Sequence, residues 1–503
     1  MKIPAEFVRT VLKGHSLLGL ALAAAIYIVC LTGTIAVFAH EFRRWENATV
    51  AAATTSPDVI QKALEEAIAR ADSPVEHAYI TLPGGDVPWL QIGVDAENGY
   101  GNWAVDAQGN IIESANSPWT EFLTLLHINL HLPRTWGIFI VGLTGVALLS
   151  SLISGLLAHP RIFRDAFHLR VGGSPQLQEA DLHNRLGVWG LPFHVLVSLS
   201  GALLGLSTLI VGVLGMALFQ GDVEQVYGLF QPPHPKDDPR QVEVIDLRPM
   251  FAHIPQISPT GRIDSVVLEH PTEMGGAALF NVKEESRLLA GTASFAFDRS
   301  GKLYNEEHPT ANNVGEAILG ALGPLHFGWF GGGGIKIAYA LLGLGLTYLS
   351  AGGVIIWLVR RRAKGRPAPG WERLWTSVIW GQPLALATTA ATVVLISRAG
   401  SVDVTNSVPV AVWGGLTVVT LAAAIWLQAS TLSRLGRGIT AAMLVIAAIS
   451  HVILTGQHVL DSMAWIVNGC FIAIAALLAM TVIKSAAPKA STAVAETGQI
   501  VHR

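Results

Sequence analysis

Eight stretches of roughly twenty apolar residues run through this chain, more than a soluble core can absorb. They lie at Leu17–Ala39, Trp136–Ala158, Gly187–Phe219, Ile335–Val359, Leu374–Ile396, Val408–Gln428, Ile439–Leu454 and Met463–Ile483. About 20 helical residues cross a bilayer core, so the pattern predicts an α-helical polytopic membrane protein with about eight transmembrane helices. The 51% hydrophobic content, 14% charged content and mean hydropathy of +0.46 agree. The first run follows Lys2, Arg9 and Lys13 and is longer than a signal-peptide core of about 7–15 residues. With the poor cleavage site His40–Arg44 behind it, it reads as an uncleaved anchor. A net charge of -3 points to no nucleic acid partner, and Cys30 and Cys470 both lie in apolar runs, which suggests no disulfide framework.

Lys and Arg set the expected orientation. They cluster at His159–Arg164, at Arg360–Arg366, at Arg434 and Arg437, and at Lys484. These fall on one side if both termini are cytoplasmic in a bacterial inner membrane. The expected organisation is then a first helix (1–40), a periplasmic module with an approach helix (41–135), and helices two and three (136–219). A second periplasmic module with its approach segment (220–334) and helix four (335–362) follow, then a four-helix bundle (363–485) and a disordered tail (486–503). The bundle, which carries only His451 and His458 as histidines, reads as appended to the rest.

The two polar segments share a grammar. The first offers a helix at Pro57–Ala71 and strands near His77–Leu82, Trp89–Val94 and Gly101–Val105, closed by the turn Asp106–Asn110. The second offers a short helix at Pro249–His253 and strands near Ile263–His270, Gly276–Val282 and Ser294–Phe297, closed by Asp298–Lys302. Alternating apolar residues ending in an Asp-x-x-Gly turn predict hairpins, hence two small α+β modules. Each leads to a Leu-His pair, Leu126-His127 and Leu325-His326, just outside the next span.

The spans repeat as well. His15, Gly19 and Thr32-Gly33 recur as His183, Gly187 and Ser200-Gly201 at a constant offset of 168. Helix, module, approach histidine and helix thus occur twice in one orientation, an internal parallel duplication of the first ~360 residues. The symmetry pairs His15 with His183 near one membrane face and His127 with His326 near the other. Imidazoles facing each other across an axis suit the two sides of a planar macrocycle, so two haems are suggested. Gly19 and Gly187, four residues after their histidines, would leave room beside a porphyrin. Interfacial polar residues or a proton relay are the other readings of these histidines. His194 has no twin (Ile26 stands there) and falls about 16.5 Å along the helix from His183, mid-membrane. It reads as a replacement ligand or a polar group beside the electron path, with Pro192 kinking the helix before it. His131, one turn from His127, and His40 are lower-ranked edge positions. His77, His234, His253, His270 and His308 read as solvated module residues.

At these residues the chain resembles the PepSY-associated transmembrane helix family. The motifs are His15-x3-Gly19 with Thr32-Gly33, His183-x3-Gly187 with Ser200-Gly201, Leu126-His127, and Leu325–Gly332, together with Leu341–Gly353, Trp357 and Arg360-Arg361. The resemblance covers roughly residues 10–362. Ser200 stands where Thr is usual, and four glycines follow Phe330 where larger residues are expected. The resemblance implies PepSY-like modules and a di-haem b ferric-siderophore reductase-like activity. Electrons would come from an unidentified cytoplasmic or quinol donor and reach a ferric siderophore or other ferric chelate in the periplasm. No Gly-x-Gly-x-x-Gly follows a strand, so no nicotinamide or flavin domain is expected. Two alternatives stay open: a transporter or permease component, weakened by broken helices only at Pro192, and a non-enzymatic PepSY-type regulator.

Overall fold

The computed structural model describes residues 4–486 except 53–54, 85–86, 159–173, 229–237, 285–288, 290, 309–313, 400–406 and 457–460. The basic segment His159–Arg164, His234, His458 and the expected tail lie outside the described residues.

The first apolar run is two helices, α1 (Ala5–Ala21) and α2 (Ala23–Ala36), bent by 69° at Leu22. The third run is also broken: α7 (Pro175–Trp189) meets α8 (Leu191–Gly205) at 71° around Gly190, with Pro192 in the first turn of α8. The expectation of a break at Pro192 alone is corrected, since Leu22 breaks a span without proline or glycine. Leu22 and Gly190 stand at the same offset of 168 as His15 and His183. Among the described residues six further helices are long and apolar enough to cross a membrane, giving eight spans if each bent pair counts as one.

Between α2 and the second span lie the short helix α3 (Ala39–Glu46), helix α4 (Pro57–Ala71) and strands β1 (Val75–Thr81), β2 (Leu90–Ala96), β3 (Gly99–Val105) and β4 (Ile111–Ser114). The approach helix α5 (Pro118–Asn129) and the span α6 (Arg134–Ala158) follow. After α7 and α8 come α9 (Ser207–Leu218), α10 (Val223–Tyr227), α11 (Arg248–Ile257) and strands β5 (Arg262–Glu269), β6 (Ala277–Lys283), β7 (Thr292–Asp298) and β8 (Leu303–Glu307). Approach helix α12 (Val314–Phe327) then leads to the span α13 (Gly332–Ala363).

The two polar segments do not stand as separate modules. Their strands form one eight-stranded antiparallel sheet, β4-β3-β2-β1-β5-β6-β7-β8. The join is β1 against β5, with Tyr79 opposite Val267 and Ile80 opposite Val266. Each segment alone would leave that strand edge unpaired. One face of the sheet is covered by α4 and α11 over a dry core containing Ile80, Ile92, Phe280 and Phe295. Gln61 of α4 bonds the backbone ahead of α11, at Ile245 O and Leu247 N.

The last four helices are α14 (Pro369–Ala399), α15 (Ser407–Trp426), α16 (Ala429–Thr455) and α17 (Ser462–Ala486). They are not appended. One apolar core runs through α2, α3, α5 and α13 into α14, α16 and α17, with Leu31, Trp45, Leu123, Leu358, Ala390, Ala447 and Phe471 among its residues. Tyr27 donates to Ile379 O at 2.8 Å and Trp375 to Ala351 O at 3.1 Å across that junction.

Candidate functional site

The four paired histidines fall in two places. His15 on α1 and His183 on α7 line one cavity of about 220 Å³ bounded by α1, α6, α7 and α13. Its wall is mostly leucine, alanine and glycine, with Arg360 and Trp357 also lining it. His15 Nδ1 donates to Ser151 O at 2.9 Å, which leaves Nε2 as the unprotonated nitrogen. His183 lies against the α13 glycines, 3.3 Å from where a Cβ on Gly352 would stand. Gly19 has nothing within 4 Å of its missing side chain, and Gly187 has only Leu349 at 3.9 Å. Both glycines open onto the cavity, as their spacing suggests. At the α7–α13 contact Tyr348 donates to Glu179 at 2.6 Å.

His127 and His326 meet directly, with ring centroids 6.1 Å apart and planes 23° from parallel. Each is anchored to the helix it lies on. His127 Nδ1 donates to Val29 O at 3.0 Å. Ser200 Oγ gives its own proton to Leu196 O, so it accepts from His326 Nδ1 at 2.9 Å. The glycines of the repeated Thr-Gly and Ser-Gly pairs make these approaches possible. A Cβ on Gly33 would stand 2.5 Å from His127 Cε1, and one on Gly201 2.8 Å from His326 Cε1. Gly201, in the same apolar run as His183, thus lies under His326.

The lower-ranked histidines stand apart from both pairs. His194 is 1% exposed, with Nε2 3.3 Å from Leu342 O and its ring packed on Gly190. His131 folds back on α5, its Nε2 donating to Phe122 O at 2.9 Å and its ring stacked on Phe122. The ring of His40 lies 4.3 Å from that of Trp329. His308, read as a solvated residue, bridges Glu284 (3.2 Å) and Glu306 (2.6 Å). The hydrogen bond to Glu306 leads in raising its pKa, with Glu284 adding to it.

Sequence reasoning missed the polar residues around α3. Glu41 pairs with the buried Lys336 at 2.7 Å. Glu46 accepts from Trp119 N, Thr120 N and Thr120 Oγ1 at the start of α5, and burial pushes its carboxyl up to about 7 against those bonds. Arg44 donates through Nε to Asp461 at 3.0 Å. Among the described residues no group of three or more His, Cys, Asp or Glu side chains is arranged to hold a bare metal ion. A porphyrin, which brings four nitrogens of its own, asks the protein for two ligands at most.

Residues 12–360 match the PepSY-associated TM region family. A 256-residue stretch is 30% identical to an uncharacterised protein of Pseudomonas aeruginosa, covering 48% of this chain and 64% of that relative. The chain therefore spans less than two thirds of the relative's length. With six to eight spans among the described residues, the family match describes a multi-pass inner-membrane protein with an extramembrane, PepSY-like sheet domain. Helices α14–α17 lie outside the matched residues.

Proposed function

The chain belongs to the PepSY-associated TM region family, and from that premise we propose that it is a transmembrane oxidoreductase built to hold two b-type haems. His15 and His183 would be the ligands of one, His127 and His326 of the other. Bound haem supplies one-electron chemistry. The chain's own residues hold neutral imidazoles in one tautomer, exclude water and carry the periplasmic sheet. The internal parallel duplication is part of this reading, supported by the matching positions of the two breaks and of the two histidine pairs. The orientation from Lys and Arg puts the His127–His326 pair toward the periplasm, where a ferric chelate would be reduced. Hard oxygen ligands hold Fe(II) less tightly than Fe(III), so reduction releases the iron.

The observation that carries the reading is the facing pair. The imidazoles of His127 and His326 lie side by side with ring centroids 6.1 Å apart, and each would offer one nitrogen to haem iron. Metal-bound histidines also donate their other ring N–H to a neighbouring acceptor, as the Nδ1 groups of His15, His127 and His326 do. The cavity wall of small and apolar residues with one arginine suits an apolar macrocycle with carboxylate edges.

A second reading has its own support. Two broken spans beside a cavity also fit a permease component, in which irregular backbone lines a path. The sheet equally suits a non-enzymatic module that binds a periplasmic partner. Neither needs an added group, and family and fold agree with them directly. Haem content of the purified protein separates the readings. Two haems per chain are expected, with His183→Ala removing one and His326→Ala the other. A folded, colourless preparation would overturn the redox reading and leave the other two.

A further inference from the structure

Trp45, His451 and Asn468 close a ring of hydrogen bonds between α3, α16 and α17. Trp45 Nε1 donates to Asn468 Oδ1 at 2.9 Å, Asn468 Nδ2 donates to His451 Nδ1 at 3.1 Å, and His451 Nε2 donates to Trp45 O at 2.8 Å. An indole nitrogen can only donate and a carbonyl can only accept, so the ring fixes the amide orientation and the histidine tautomer. Trp45 is 0% exposed, His451 1% and Asn468 4%, and the indole lies over the imidazole at 4.8 Å. A buried ring with each of these donors and acceptors matched is a rigid joint.

What the joint holds is the start of α5. Glu46, the next residue, takes the N–H groups of Trp119 and Thr120, donors that a helix leaves unpaired at its first turn. Asn47 donates to Ser117 Oγ at 2.9 Å. Beyond that turn Phe122, Leu123 and Leu126 are enclosed in the core shared with α14 and α16, and Trp413 of α15 lies 6.2 Å from Phe122. His127 follows on the same rigid helix, directed at Val29 and Gly33.

We propose that α14–α17 position His127, with His451 and Asn468 as positioning residues acting through Trp45 and Glu46 on α5. The last four helices thereby acquire a role in the redox site that the proposed function does not itself supply. The part of the inference that concerns haem rests on that proposed function; the part that concerns α5 does not.

Hydrogen exchange of the full-length protein in lipid nanodiscs tests it. His451→Leu and Asn468→Leu are expected to speed amide exchange across residues 118–129 about tenfold, with α12 unchanged. In His451→Gln, the side-chain amide can donate to Trp45 O in place of Nε2, and exchange is expected to return toward the wild-type rate. In haem-loaded protein the same Leu variants should shift the midpoint potential of one centre only, and His451→Gln should restore it. Unchanged exchange in α5, equal loosening of α5 and α12, or no rescue by Gln would each overturn the proposal. A wild-type protein without haem overturns the proposed function alone, because α5 exchange is measured on the chain as purified. Haem present with α5 exchange unchanged overturns the positioning role alone.

Discussion

Helices α5 and α12 each deliver a Leu-His pair to the same meeting point, yet their surroundings differ. The other apolar residues of α5 around His127 are enclosed: Trp119 is 3% exposed, Phe122 1%, and Leu123 and Leu126 0%. On α12, Ile318 is 57% and Leu319 50% exposed, and Pro324 interrupts the helix two residues before His326. α5 is wedged between the spans and the C-terminal bundle, whereas α12 rests on α8. The hydrogen bonds differ only in part: both imidazoles reach a backbone carbonyl, Val29 O for His127 and Val197 O for His326, and His326 has a serine hydroxyl as well. Two like histidines can therefore occupy unlike environments, because the second packing partner of a helix, more than its own sequence, sets how far it can yield.

The largest expected effect breaks or sharpens that contrast at the glycines. In Gly33→Ala the new methyl meets an imidazole on a helix with nowhere to retreat, and overpacking should cost about 2–3 kcal/mol. In Gly201→Ala, α12 can shift outward, and about 1 kcal/mol is expected. Thermal unfolding midpoints with haem content check this. Equal losses would show that the bundle gives α5 no extra rigidity.

A smaller effect is expected at the hydroxyls. Ser200→Ala removes the hydroxyl beside His326 Nδ1 but leaves the Val197 carbonyl, so the midpoint potential of a haem held by His326 should shift by less than the ~40 mV equivalent to one ordinary hydrogen bond of about 1 kcal/mol. Thr32→Ala should leave it in place, since Thr32 Oγ1 donates to Ile28 O at 2.7 Å and does not serve His127. Redox titration of the two variants separates a tuned His326 from a merely packed one.

The smallest effect concerns the links from sheet to approach helix. α5 is tied by the buried Asn47–Ser117 and Glu46 contacts, whereas the strand before α12 is followed directly by His308, which bonds Glu284 and Glu306. The pKa of His308 is raised in the folded protein, so its charged form is favoured there. The stabilisation is complete below the unfolded value of about 6.5 and is lost as pH rises through the higher folded value. Amide protection of β8 should fall across that window, and His308→Gln should remove the dependence while leaving β4 unchanged. Exchange measured at several pH values, corrected for intrinsic rates, checks it.

Much of this molecule was legible from residue pattern. Apolar runs located every span, and alternation found six of the eight strands, with the short outer strands Ile111–Ser114 and Leu303–Glu307 missed. The recurrence of His15 and Gly19 as His183 and Gly187 led to residues that do share a cavity. The break at Leu22 was hidden because its alanine-rich surroundings are ordinary helix formers. The α3 joint was hidden for another reason: its members are up to 423 residues apart, and none belongs to a repeated motif.

Hydropathy and periodicity are properties of short stretches, so the sequence by itself determined which segments enter the membrane and which become strands. The tertiary structure alone decided that β1 pairs with β5, that Gly33 and Gly201 lie beneath the partner imidazoles, and that the C-terminal helices hold α5 and not α12. Those outcomes depend on which donors, acceptors and apolar faces meet once the chain has closed on itself, and no local pattern records the partner.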